Sequence, residues 1–400
     1  MQADIVIVGA GMVGSLLAAA LKHLSLKIII IDNQQVIEPQ NSEPYEPRVS
    51  ALTRASENML KALGAWSLID KKRFAPFSSM YVREQQGHGE LYFHANDLGV
   101  SHLGCLLENR LLQWALTEQA VASPQVTLLA PDKVVALEKG ITKWSVTLAS
   151  GIKIDTPLVV GADGAFSVVR QLAGIEIDTW DYQQQAIVCS VKTESPHQDC
   201  ARQSFLTTGP LALLPLSDPH YCSIVWSVQQ DEAHKLMALS DDEFLQALER
   251  AFPCELGQML SCDQRYSFPL VARHAQRYCL EGLVLIGDAA HTIHPLAGQG
   301  VNLGLLDAAV LAEEIELALK KSLAISHLQV LSKYSRRRRS HNALTMHSIT
   351  ALERTYAATS TTMIMARNEG VRFVNKTAWL KEFFEKQAMG LVGDLPQLAK

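Results

Sequence analysis

Three glycine-centred stretches carry the chemistry legible in this chain: Gly9-Ala10-Gly11-Met12-Val13-Gly14, Gly161-Ala162-Asp163-Gly164 and Gly287-Asp288-Ala289-Ala290-His291. Each follows a short apolar run, residues 4–8, 158–160 and 283–286, that reads as a buried strand. A strand that ends in glycine and opens into a helix presents backbone N–H groups with no side chain in the way. Those groups, with the positive end of the helix dipole behind them, attract phosphate. In the first stretch Gly9 permits the tight turn, Gly11 lets a pyrophosphate approach the backbone, and Gly14 allows close helix–strand packing. A second apolar run, residues 27–31, ends in Asp32, whose carboxylate suits a ribose diol. The pattern is that of a dinucleotide site, and alone it does not separate nicotinamide from flavin.

The other two stretches bear on that choice. Asp163, on a glycine-flanked strand end, can bond a ribose or cap the helix that follows, and both roles stay open. Arg170, in the start of that helix, is placed to act on phosphate charge. Asp288 is placed for a second ribose or ribityl contact. After it comes Pro295-Leu296-Ala297-Gly298-Gln299-Gly300-Val301-Asn302. Gly298 and Gly300 remove side chains just before a helix predicted from about Val301, so backbone there can lie against a flat ring. Pro295, Gly298, Gln299 and Gly300 are the candidate ring wall, with Val301 and Asn302 at the helix start and no acid–base residue assigned. His291 and His294 have the spacing of weak metal ligands, but no acid or third histidine accompanies them, so no metal site is expected.

Together the motifs resemble the class A flavin monooxygenases of the para-hydroxybenzoate hydroxylase fold, and within them the aromatic-ring hydroxylases of ubiquinone biosynthesis. Arg48-Val49-Ser50-Ala51-Leu52, the Asp163 stretch and residues 287–300 carry the resemblance, which runs from residue 4 to about 345. Trp180-Asp181-Tyr182, residues 214–220 and residues 387–391 look most like the bacterial 2-polyprenylphenol 5-hydroxylases. His294 departs from that pattern, where Asn is expected. The resemblance implies FAD, bound by Gly9, Gly11, Gly14, Asp32, Asp163, Gly287, Asp288, Gly298, Gly300, Val301 and Asn302. It adds Arg48, over the flavin, and Arg110, near its phosphates or ribose. It implies hydroxylation of a polyprenylated phenol at C5 through a flavin C4a-hydroperoxide, with NAD(P)H as transient electron donor and O2 as co-substrate. A sibling ring position, or a flavin oxidase or dehydrogenase, is the alternative. Implied partners are the phenol, a ubiquinone-biosynthesis complex, the membrane surface and a second copy of the chain.

The elements that must position these residues follow from their separation. The fold class is α/β, two-domain, with a discontinuous Rossmann-type FAD domain over residues 1–72, 102–182 and 270–325. Residues 73–101 and 183–269 alternate apolar and polar, as expected of a mainly antiparallel substrate domain. Helices are expected over 326–400. There Arg336-Arg337-Arg338-Arg339 reads as a solvated helix face or a contact for anionic lipid or a partner. Trp379, Leu380, Phe383 and Phe384 form one helical stripe, packed on the enzyme's own body or lying on a membrane. The net charge of -5 argues against a general nucleic-acid binder. Seven cysteines without a CxxC pair fit reduced thiols, and a cytoplasmic location, peripheral to the membrane's inner face, is expected. No run of apolar residues is long enough to span a bilayer.

Overall fold

The computed structural model describes residues 1–40, 44–69, 73–85, 89–253, 256–294, 298–358 and 360–400. The three glycine motifs lie on one six-stranded sheet, in the order Cys279–Leu280, Leu283–Leu285, Leu158–Gly161, Ile5–Val8, Ile28–Ile31, Val126–Leu129. All but the first pair run parallel. The β-branched runs are buried on both faces, which is why they read as continuous apolar stretches. Val8 aligns with Gly161, and Gly161 with Leu285, so all three motifs emerge at the same edge. Chain order reverses beside Ile5–Val8, and a ligand crevice opens at such a switch point.

Two helices brace the first motif. Met12–Leu21 is rich in Ala and Leu and buries most of its length. Ser15 Oγ bonds the Ala10 carbonyl at 3.1 Å and Thr117 Oγ1 at 2.8 Å, tying this helix to Asn109–Val121. Gln113 Nε2 donates to the same Ala10 carbonyl at 2.9 Å.

A second sheet runs His291–Thr292, Tyr266–Ala275, Ile177–Thr193, Tyr221–Gln229, Gly209–Pro215, Cys200–Leu206, Ser79–Glu84, Glu90–His94. Its pairs are antiparallel except Cys200–Leu206 with Ser79–Glu84. Strand Ile177–Thr193 continues past residue 182, where the sequence suggested a domain boundary, with a bulge between Asp181 and Gln185. On one face Ile187, Cys189, Val191, Ile224 and Trp226 pack with Phe244 and Leu248 of helix Asp241–Ala251. Helix Leu328–Ala357 crosses the seam between the sheets, its Met346 and Ile349 meeting Phe205, Ala272, Ile293 and Leu303.

The C-terminal segment corrects one expectation and divides the residues of another. The arginine run is not one solvated face: Arg338 is buried, and Arg337 pairs with Glu313 at 2.7 Å, Glu314 at 3.0 Å and Asp394 at 2.7 Å. The aromatic stripe does not all pack inward either. Trp379 is 69% exposed and Phe383 48%, whereas Lys381 turns inward to Asp97 at 2.7 Å; the Phe384 side chain lies outside the description. Beyond this helix the chain docks back on the body of the protein. Met389 is buried with Phe77 and Leu106, Leu395 and Leu398 pack on the main core, and Asn58 Nδ2 donates to Ala399 at 3.3 Å. Among the described residues no helix is long and apolar enough to cross a membrane.

Truncation after Ala388 therefore strips apolar cover from both cores. Burying one large aliphatic side chain is worth roughly 1.5–3 kcal/mol, so a loss on the order of 3 kcal/mol or more is expected. A clear fall in Tm by differential scanning calorimetry checks it; an unchanged Tm would contradict this packing.

Candidate active site

Around the crevice the glycines divide into two kinds. A Cβ on Gly9, which has φ of +109°, would stand 2.3 Å from the Ala162 carbonyl oxygen, and one on Gly14 would stand 2.0 Å from the Gly9 carbonyl oxygen. Both are fixed by the fold. Gly11 is different: its backbone is extended (φ -67°, ψ 177°), and a Cβ there would meet nothing within 4 Å. The space a side chain would fill stands open at the start of a helix with no side-chain cap, which fits a pyrophosphate. Asp32 closes the loop from behind, its Oδ2 accepting from Ala10 N at 2.7 Å and its Oδ1 from Gln34 N at 2.9 Å. A carboxylate has about four acceptor positions, so a ribose hydroxyl can still join it.

Asp163 takes up its helix-capping role directly. Its Oδ2 accepts from Val169 N at 3.1 Å, beside Ser167, which caps Arg170 N at 3.0 Å. Its Oδ1 is buried with no hydrogen-bond partner among the described residues, and burial pushes the carboxyl above its usual range. Arg170 does not point to phosphate. Its guanidinium donates to the carbonyls of Ala289 at 2.8 Å and Ala165 at 2.9 Å, fastening the second motif to the third.

The third motif sits on a buried charge that the sequence reading missed. Asp307, wholly buried in helix Gln299–Lys320, accepts from Gly287 N at 3.1 Å and His291 Nε2 at 2.5 Å through Oδ2. Its Oδ1 accepts from Arg338 Nε at 2.7 Å and Asn342 Nδ2 at 3.0 Å. Burial raises its pKa, but His291 and Arg338 outweigh that and hold it far below the usual carboxylate range. The signal available in sequence was a lone Asp amid Leu305, Leu306, Ala308 and Ala309. Held this way, the turn presents Asp288 to solvent in a concavity that protein otherwise surrounds. Its pKa is raised by desolvation, against the pull of His291 and Arg48.

Arg48 shares that concavity. Its guanidinium lies over the Phe268 ring at 5.3 Å from the centroid. The loop carrying it is pinned where Asn109 N donates to the Arg48 carbonyl at 3.0 Å, Glu46 N to Glu108 Oε1 at 2.7 Å, and Tyr45 bonds Ser217 Oγ at 2.7 Å. Arg110 is largely exposed and reaches Glu46 Oε1 at 3.1 Å. Gly298, with φ of +61°, starts helix Gln299–Lys320, again without a side-chain cap, so the N-terminal amides of Gln299, Gly300 and Val301 form a positive end. Asn302 is turned to the protein. Its Nδ2 donates to Ala51 at 2.8 Å and Gly298 at 3.1 Å, and its Oδ1 accepts from Thr53 N at 3.0 Å and Ser56 Oγ at 2.7 Å. Pro295 lies outside the described residues.

The comparisons with known proteins agree with this geometry. Residues 2–348 match the family model described as an FAD binding domain. The chain is 37% identical to a protein named ubiquinone hydroxylase UbiL of Rhodospirillum rubrum, over 97% of this chain and 90% of that one. It is 34% identical to the 3-demethoxyubiquinol 3-hydroxylase of Escherichia coli, over 97% and 98%. Human COQ6, a mitochondrial ubiquinone biosynthesis monooxygenase, is 31% identical over 95% and 91%. Among solved structures, the p-nitrophenol 4-monooxygenase PnpA of Pseudomonas putida superposes with a TM-score of 0.78 over 96% of this chain and 98% of its own. At 20% identity that likeness speaks to the fold.

Two predictions follow from this geometry. Gly11→Val is expected to leave the apo fold intact, since its Cβ meets nothing and its backbone is extended, while abolishing FAD retention. Gly14→Val should fail to fold, and circular dichroism with flavin content measured on both separates the cases. Burial also lowers the pKa of His294 and of His274 to about 4, from an ordinary 6.5. The unfolded chain then binds more protons below pH 6.5, so Tm should be level above that value and fall between 6.5 and about 4. A Gln at position 294 should flatten that slope in a Tm-against-pH series.

Proposed function

The chain belongs to the FAD-binding-domain family of flavin-dependent ring hydroxylases that serve ubiquinone biosynthesis, and we propose that it hydroxylates a polyprenylated phenol at C5. What supports this reading is the open approach at Gly11, the exposed Asp288 within the electrostatic reach of Arg48, and the uncapped helix start at Gly298. When bound, FAD would accept electrons from a reductant such as NAD(P)H and, once reduced, activate O2 for insertion of one oxygen atom into the ring.

The chain's own part is binding, orientation and exclusion of water. Gly9, Gly11 and Gly14 would admit the pyrophosphate to the N-terminus of helix Met12–Leu21, with Asp32 on the ribose. Asp288 and Gly287 would meet the ribityl chain, and Asp163 would brace the same edge. Arg48 and Arg110 would supply positive charge. The amides of Gly298, Gln299, Gly300, Val301 and Asn302 would face the flavin's polar edge, where the helix dipole favours negative charge. The buried seam of Phe205, Ile293, Leu303, Met346 and Ile349 is packed shut and excludes water where the two sheets join. One dinucleotide fingerprint occurs in the sequence, so the reductant would dock transiently.

A second reading keeps the chemistry and changes the carbon. The Escherichia coli relative's name places its oxygen at position 3, and its likeness extends over 98% of its length. Oxygen-18 gas given to the FAD-loaded enzyme with a short-chain 2-prenylphenol and NAD(P)H decides between them. One labelled oxygen at C5 is expected. Label at another carbon selects the second reading, and peroxide without ring label refutes hydroxylation in favour of an oxidase.

A further inference from the structure

At His294 the second sheet, the end of the third glycine stretch and helix Leu328–Ala357 meet. Strand Ile177–Thr193 loses register with Tyr266–Ala275 between Asp181 and Gln185, and Gln183 within the break has φ of +54°. A non-glycine residue in that left-handed region is strained and persists only where its surroundings enforce it. Bulges of this kind re-aim side chains. Here Tyr182 and Gln184 both meet His294. The Tyr182 ring stands edge-on to the imidazole at 5.0 Å, and its hydroxyl bonds Thr350 Oγ1 at 2.7 Å. Gln184 Oε1 faces His294 Nε2 at 3.4 Å, while Gln184 Nε2 donates to Glu353 Oε1 at 3.0 Å. On the other side Ile293 lies 3.9 Å from where a Cβ on Gly300 would be, which links His294 to the start of helix Gln299–Lys320.

This chain of contacts sets the proton on the imidazole. The Glu353 carboxylate only accepts, so the Gln184 amide nitrogen faces it and the amide oxygen faces the ring. That oxygen in turn only accepts, so Nε2 carries the hydrogen. Burial drives the His294 pKa down to about 4, which keeps the ring neutral near pH 7 with its single N–H at Nε2.

We propose that His294 is a positioning residue that, as a fixed Nε2–H tautomer, sets how the start of helix Gln299–Lys320 sits against the second sheet and so the ring carbon presented to the flavin. The inference rests on the hydroxylase reading above. A His packed only for volume would need neither the strained bulge nor the amide–carboxylate relay behind it.

Three variants of the FAD-loaded full-length enzyme test it. In His294→Gln an extended amide nitrogen reaches the Nε2 position; in His294→Asn it reaches only the Nδ1 position. Gln184→Leu removes the acceptor. All three are expected to hold FAD. His294→Gln should retain the wild-type ring position and product yield, whereas His294→Asn and Gln184→Leu should lose roughly 3- to 10-fold in product per reduced flavin, the size expected of one lost hydrogen bond, with peroxide making up the difference. Nitrogen-15 NMR of histidine-labelled protein, with His294→Gln assigning the signal, should show a protonated Nε2 that does not titrate between about pH 5.5 and 8. The visible circular dichroism of bound flavin should shift in Gln184→Leu. An Nδ1–H tautomer overturns the proposal, as does Gln184→Leu matching wild type in flavin dichroism, ring position and coupling. Should the wild type give no hydroxylated ring, the hydroxylase reading fails, while the NMR and dichroism results still decide the role of His294.

Discussion

The architecture depends on one buried carboxylate. Asp307 has no access to water, and an unpaired charge there would cost several kcal/mol, so its donors must come to it. They come from two places: the Gly287–His291 turn, through the Gly287 backbone N–H and the His291 ring, and the Arg338–Asn342 stretch of a later helix. Tyr334, in the same helix as Arg338, adds a bond from its hydroxyl to the Leu285 carbonyl at 2.8 Å. A helix outside the nucleotide-binding unit is thereby made part of its floor. Removing His291 or Arg338 would leave the other groups buried around a charge with too few partners, which is why the turn bearing Asp288 has one position available to it.

Above that floor, packing sets how near the three glycine motifs can approach. Val13 is the shared neighbour: a Cβ on Gly287 would stand 3.1 Å from its Cγ2, and one on Gly304 2.7 Å. Gly161 is bounded in the same way by Leu285 at 2.8 Å. Most of these glycines are therefore needed before any ligand arrives, because strands, turn and helices close onto one valine. Gly11 is open where its neighbours Gly9 and Gly14 are tight, and its backbone is extended. Arg170 completes the arrangement from inside, holding carbonyls of two motifs that are distant in sequence.

The second sheet is anchored by the seam instead of by either core. Helix Leu328–Ala357 puts Met346 and Ile349 against Phe205 and Ile293, and Tyr356 stacks on Phe205 at 3.7 Å between centroids. Arg367 caps the end of that helix through the carbonyls of Thr355, Tyr356 and Ala358 and pairs with Glu84 of the sheet. Shape at the seam thus comes from three chain segments that no local pattern joins.

By itself the sequence determined whatever depends on local periodicity and backbone freedom. The β-branched runs predicted the parallel strands, since strands covered on both faces can be apolar throughout. The glycine spacing predicted the turn at Gly9–Gly14, and the alternation at 187–191 and 221–226 predicted the second sheet. Only the tertiary structure decided partners. Arg338 in a run of four arginines looks solvated until Asp307, thirty-one positions away, is found beneath it. Arg170 looked like a phosphate ligand until carbonyls claimed it, and Asn302 was turned toward Ala51, Thr53 and Ser56. The physical reason is common to all three. A buried polar group must be satisfied by whichever donors or acceptors the fold brings within 3 Å, and that identity is a property of three-dimensional proximity that a single segment's composition does not contain.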